Sequence, residues 1–314
     1  MINDNPVLDK VLISQIKKIL LKSDKLSSQI LAGEYKSAFK GTGLNFESIR
    51  EYQHGDEIKN LDWKVTARLQ GPYIRQYKEE RQMTLLLVID LSASSLFGTE
   101  EKTKQEITIE LASILAFLAI KNNDKVGLMI VSEDVEFYLE PKQGKAHIFR
   151  LIKELLTFKP LYKTTNIKKT LNSVIRLSPK HSIIFYISDF LDNANPNQIY
   201  ASEKSLINNS EQLNYSHEIK ILKKTQDLSL VSIRDPKEFF LPNLGFIEIY
   251  DPETGHRSSL NLNRKTNREY ISKLQTSHRE AFKAEIKKLG IKFLELSTDK
   301  NYLIQLQKFF LSNR

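Results

Sequence analysis

From residue 84 onward, short apolar runs of strand length alternate with helix-length segments, and that alternation leaves few architectures open. The runs 84–89, 125–131 and 182–187 are apolar or nearly so and 228–233 and 291–296 are mostly apolar, while 101–121, 145–156, 167–177, 267–289 and 301–311 read as helices. A chain patterned this way builds a mostly parallel sheet. Helices cover both faces of such a sheet, so its strands are apolar throughout instead of at every second residue. The weaker run 135–139 is expected as a short edge strand.

Three units follow from the texture of the chain. Residues 1–33 read as a helical appendage, with Val11, Leu12, Ile16, Ile19 and Leu20 on one face of a helix over 7–32. Residues 34–82 turn to Gly, Tyr and Arg with short β-prone pieces punctuated by Gly55 and Gly71-Pro72, a small β-rich subdomain. Residues 83–314 form the α/β domain, doubly wound, with a hairpin insertion near 240–262. The polar stretch 195–224 reads as helical pieces with a loop or insertion.

Composition removes several classes of function. With no cysteine among 314 residues, disulfides, thiolate catalysis and cysteine zinc sites are excluded, which fits a reducing cytoplasm. No apolar stretch approaches the roughly 20 residues that span a bilayer. The net charge of +9 comes from scattered lysine doublets, without a basic block or interleaved aromatics, so nucleic acid is not the expected partner. No Gly-rich phosphate loop ending in Lys-Ser or Lys-Thr is present, and none of the six histidines pairs at metal-ligand spacing.

The chemistry concentrates where strands end. Asp90, Ser92 and Ser94 follow the run 84–89, Asp189 follows 182–187, and Thr165 precedes the helix-like 167–177. Open α/β sheets gather their ligands at the carboxyl ends of their strands. Two carboxylates and three hydroxyls there suit a hard divalent cation, Mg²⁺ or Mn²⁺, which takes oxygen ligands and keeps several waters. Neutral hydroxyl ligands leave such an ion short of negative charge, with a position open for an outside Asp or Glu. The plainer alternative is that Ser92 to Ser95 and Thr165 cap helices and Asp189 ends a strand.

Separate blocks carry a family resemblance: 46–68 (Phe-Glu-Ser-Ile-Arg-Glu-Tyr-Gln-His-Gly-Asp and onward through Asp62-Trp63 to Arg68), Asp90-Leu91-Ser92-Ala93-Ser94, Asp124 to Leu128, Thr165-Asn166-Ile167, Ser188-Asp189-Phe190, Asp235-Pro236-Lys237-Glu238, and Asp251 to Gly255. In this order the chain resembles the von Willebrand factor A-like proteins associated with MoxR ATPases, catalogued as domain of unknown function 58. The resemblance implies a von Willebrand factor A-like fold and a metal-ion-dependent adhesion site at Asp90, Ser92, Ser94, Thr165 and Asp189. It also implies a MoxR-type AAA+ ATPase or a membrane-anchored von Willebrand factor A protein as partner, and a chaperone-like role in assembling or activating clients. Unlike many relatives, the chain has no amino-terminal membrane helices in its sequence.

Two rival functions stay open at this point. Asp90 resembles the nucleophile of aspartate-based phosphatases, although the second acid those enzymes need is Ser92 here, and the fold can also serve as a metal-free scaffold. Arg50, Tyr52, Asp56, Asp62, Trp63 and Arg68 mix charge with aromatics ahead of the core. They read either as a partner-facing patch or, preferably, as a buried ion-pair and stacking clamp anchored by Trp63.

Overall fold

The computed structural model describes residues 6–26, 35, 38, 44–69, 71–79, 82–99, 101–162, 164–190, 213–250 and 257–313. It is a mixed α/β protein built on one six-stranded sheet. The sheet strands are β3 (Thr84–Asp90), β4 (Lys125–Val131), β5 (Val135–Lys142), β6 (Ile183–Ser188), β7 (Asp227–Arg234) and β10 (Lys292–Ser297), in the spatial order β10-β7-β6-β3-β4-β5. Every pairing is parallel except that of the edge strand β5, antiparallel to β4. Pro141 sits in this edge strand, where a missing N–H costs no ladder bond, and it packs so close over Gly127 that a Cβ there would lie 2.8 Å from its Cγ.

Alternate residues of the central strand feed two cores. Leu85, Leu87 and Ile89 face α1 (Pro6–Leu26), α3 (Lys104–Lys121), α4 (Lys145–Thr157) and α8 (Tyr302–Ser312), while Leu86 and Val88 face α5 (Ile167–Leu177), α6 (Ser216–Thr225) and α7 (Lys265–Leu289). Helix α3 is apolar nearly all round because it is enclosed by the sheet, α1 and α4. Leu111, Leu115 and Leu118 in it are wholly buried, each contributing about 1.5–3 kcal/mol. Its start is set by Thr103, whose hydroxyl accepts from the Glu106 amide while the Glu106 carboxylate accepts from the Thr103 amide.

Outside the sheet, β1 (Leu44–Glu51) and β2 (Tyr73–Glu79) form an antiparallel ribbon, and β8 (Phe246–Tyr250) pairs with β9 (Arg257–Asn261). A one-turn-plus helix, α2 (Trp63–Leu69), interrupts the ribbon where only β-prone texture was expected. Of the helix expected over 7–32 the described part is Pro6–Leu26; 27–34 lie outside the described residues, as do 191–212 of the polar stretch and the turn 251–256. No helix among the described residues is long and apolar enough to cross a membrane.

From β3 the chain runs outward to β4 and β5, then returns to the other side of β3 to lay down β6, β7 and β10. The connections leaving β3 and β6 therefore part in opposite directions. That reversal opens a crevice at the carboxyl ends of these two strands, where sheets of this kind bind ligands.

Candidate functional site

Asp90 is the last residue of β3 and is 5% exposed. Its Oδ1 accepts from the Ser92 amide at 2.9 Å, an Asp-centred turn that ends the strand and starts the 3-10 turn Ala93–Leu96. The turn brings the Ser92 and Ser94 hydroxyls to 3.1 Å from each other. On the other oxygen, Asp90 Oδ2 accepts from Ser188 Oγ at 2.8 Å and from Thr165 Oγ1 at 3.4 Å. Thr165 reaches this position because Asn166 donates its amide to the Ser132 carbonyl beyond β4 and caps α5 with its side chain.

Asp189 is turned into the crevice by the residue after it. Phe190 has φ 55°, a left-handed backbone that a non-glycine residue adopts only under constraint. Its amide donates to Ser188 Oγ at 3.0 Å and its ring stacks on Phe282 with centroids 5.0 Å apart. The cleft lined by Asp90, Ser92, Ser94, Lys104, Ser188 and Asp189 encloses about 10 Å³, roughly one water's worth of space. Thr165 joins it through the Asp90 carboxylate, so all five residues expected there converge.

Sequence reasoning overlooked Lys104, the first residue of α3. It is 3% exposed, and its Nζ donates to Asp189 Oδ2 at 3.0 Å and to Glu238 Oε1 at 2.6 Å. A signal was present: a lysine directly after a helix cap has the wrong charge for a helix N-terminus, so something else must hold it. Burial pulls its pKa down, but Asp189 and Glu238 outweigh that and it lies above the usual lysine value. For Asp90, burial, joined by the Asp189 charge, pushes the carboxyl up to about 6 against the bonds from Ser92 and Ser188.

The donor set fits a small divalent ion. Two ligands on adjacent corners of an octahedron with bonds of about 2.0–2.1 Å lie about 2.9 Å apart, close to the 3.1 Å between the serine hydroxyls. No cluster of three His, Cys, Asp or Glu side chains suited to a metal occurs among the described residues. An ion here would therefore rest on the Ser92, Ser94 and Thr165 hydroxyls, on Asp90 directly or through water, and on Asp189, which also accepts from Lys104.

The cluster at 50–68 lies elsewhere, on the β1–β2 ribbon. Arg50 donates to both oxygens of Asp56 at 2.8 and 2.7 Å, and Asp62 caps α2 by accepting from the Lys64 and Val65 amides. Tyr52 is half-buried with its amide donating to the Pro72 carbonyl, and Arg68 is exposed. The stacking clamp expected of this segment needs correction: Trp63 is 70% exposed and anchors no core. As the first residue of a short helix on a two-stranded ribbon it meets no second layer among the described residues. Trp63→Ala is thus expected to change the unfolding free energy by less than about 0.5 kcal/mol, where a buried anchor would cost about 3–5 kcal/mol. Urea titration of the two proteins decides between them.

The sequence profile of the family described as "Protein of unknown function DUF58" matches residues 48–281. An uncharacterized protein of Mycobacterium tuberculosis is 22% identical over 308 residues, covering 98% of this chain and 91% of its own length. The uncharacterized protein YeaD of Bacillus subtilis is 28% identical over 108 residues, 34% of this chain and 25% of that protein. Among solved structures, an aerotolerance-related membrane protein from Bacteroides fragilis is similar at 18% identity and a TM-score of 0.45, over 74% of this chain and 98% of that one. The conserved hypothetical protein BatB from Bacteroides thetaiotaomicron matches to the same degree, at 18% identity and TM-score 0.45 over the same shares.

Proposed function

Because the chain belongs to the DUF58 family, we propose that it is a non-catalytic, divalent-cation-dependent protein-interaction module of von Willebrand factor A-like fold. The observation that carries this reading is the pair of serine hydroxyls 3.1 Å apart, set beside Asp90 and Thr165 at the switch point of the sheet. Such a site holds Mg²⁺ or Mn²⁺ weakly and completes its coordination with a carboxylate from another protein. Under this reading the partner is a MoxR-type AAA+ ATPase or a membrane-anchored von Willebrand factor A protein, and the setting is the bacterial cytoplasm. Energy for assembling or activating clients would come from the ATPase.

A phosphoryl-transfer enzyme is the rival, and the buried ammonium of Lys104 gives it its best support. Two features weigh against it. Both Asp90 oxygens already accept hydrogen bonds, and its 5% exposure leaves little room for in-line attack on phosphorus.

Affinity purification of the full chain from its own cells, in Mg²⁺ and in EDTA, tests the proposal. An AAA+ ATPase retained with Mg²⁺ and lost with EDTA, and lost again with Asp90→Ala, is the expected result. Retention indifferent to both treatments would remove the metal from the mechanism.

A further inference from the structure

We propose that Lys104 is a built-in cation of this site, one that competes with the divalent ion for Asp189 and so sets how tightly the ion is held. The inference rests on reading the Asp90–Ser92–Ser94 cluster as a divalent-ion site, and adds to it a residue that controls occupancy.

Three observations point there. Lys104 is buried at 3% exposure, yet it stands at a helix N-terminus, where the backbone repels a cation. Its ammonium touches two carboxylates from different strand ends, Asp189 after β6 and Glu238 after β7. A buried lysine survives as an ion only when paired in this way. Finally, Lys104 lines the same cleft as Asp90 and Asp189, so its ammonium stands beside the position an ion there would take.

The consequence is a tug-of-war over Asp189. When Lys104 is charged and in place, one oxygen of Asp189 is committed to it, and a second cation in the cleft feels its repulsion. Charges within about 4–6 Å shift binding equilibria by roughly one to three decades, so neutralising Lys104 should tighten divalent binding. Glu238 acts with the opposite sign. It shares Lys104 with Asp189, and without it the ammonium settles more firmly on Asp189.

The test is Mn²⁺ titration of the chelator-treated full chain, with free Mn²⁺ followed by electron paramagnetic resonance. Lys104→Gln and Lys104→Met are expected to bind Mn²⁺ about tenfold or more tightly than the unaltered protein, and to melt at lower temperature in EDTA. Glu238→Gln should bind several-fold more weakly, and Lys104→Arg, which restores the charge, should stay near the original affinity. A lysine of merely structural value would instead weaken binding in the Lys104 variants and leave it unchanged in Glu238→Gln, which keeps the Lys104–Asp189 pair. If Lys104→Gln and Lys104→Met fail to fold, Glu238→Gln decides: weaker binding supports the proposal, and equal or tighter binding overturns it.

Failure of the two readings can be told apart. Binding by the unaltered chain that is as tight as, or tighter than, that of Lys104→Gln overturns the role of Lys104 and leaves the metal reading intact. Binding by Lys104→Gln alone supports Lys104 as the resident cation and defeats metal dependence for the natural protein. No binding by either overturns both.

Discussion

Asp235→Ala is expected to lower the unfolding free energy by about 3–5 kcal/mol. Asp235 is fully buried one residue past β7, yet its carboxylate accepts four hydrogen bonds. Thr99 supplies two, from its amide at 2.9 Å and its hydroxyl at 2.6 Å, and the Lys237 amide and Thr298 hydroxyl supply the others at 2.9 and 3.0 Å. The group thus ties the loop ahead of α3 to the ends of β7 and β10. Alanine would take the acceptor from these part-buried donors, which costs more than the bonds themselves contributed. Burial pushes the Asp235 carboxyl up, but the bonds from Thr99, Lys237 and Thr298 outweigh that and hold its pKa below the usual value. The sign follows: the stabilisation is complete above about pH 4, the unfolded value, and is lost as pH falls through the lower folded value. Denaturant titrations at pH 7 and at pH 3 should show the gap between the unaltered protein and Asp235→Ala narrowing in acid. A gap under 1 kcal/mol at pH 7 would mean that the clasp does not hold these ends together.

Asp90→Asn is expected to weaken Mn²⁺ binding by at least about 100-fold, since even groups that only orient a metal ligand are worth about 10–100-fold. Asparagine keeps an oxygen for the Ser92 amide and the shape of the turn, and removes the negative charge at the centre of the cleft. The unaltered protein should gain about 2.7 kcal/mol of stability at an ion concentration one hundred times its Kd, visible as a rise in melting temperature. The variant should gain none, while its melting in EDTA shows that the fold is intact. An equal rise in both proteins would place the ion elsewhere. Turnover of an aryl phosphate by the unaltered chain, abolished in Asp90→Asn, would move the assignment to the phosphoryl-transfer reading.

Much of the site's location was legible because strand ends are marked locally. The apolar run before Asp90 and the one before Asp189 each stop at a carboxylate, and in a parallel sheet such ends must meet on one edge. Thr165 was legible for a similar reason, standing just ahead of an amphipathic helix. Ser188 was quoted in a motif without a role, and only the register of β6 beside β3 shows it donating to Asp90. Trp63 misled in the other direction: its residue type suggests an anchor, yet its side chain is 70% exposed.

Periodicity and residue type along the chain determined the alternation of strand and helix, the mostly parallel sheet and the oxygen-rich ends of β3 and β6. These are properties of neighbours a few residues apart, and local backbone geometry repeats at that range. Tertiary structure alone decided that Lys104 lies between Asp189 and Glu238, that Asp235 closes three loops at once, and that Trp63 faces solvent. Whether a charged or aromatic side chain is buried depends on which distant segment folds over it. The cost of burying a charge is then met by tertiary partners 63 to 136 positions away, a separation at which no local pattern carries information.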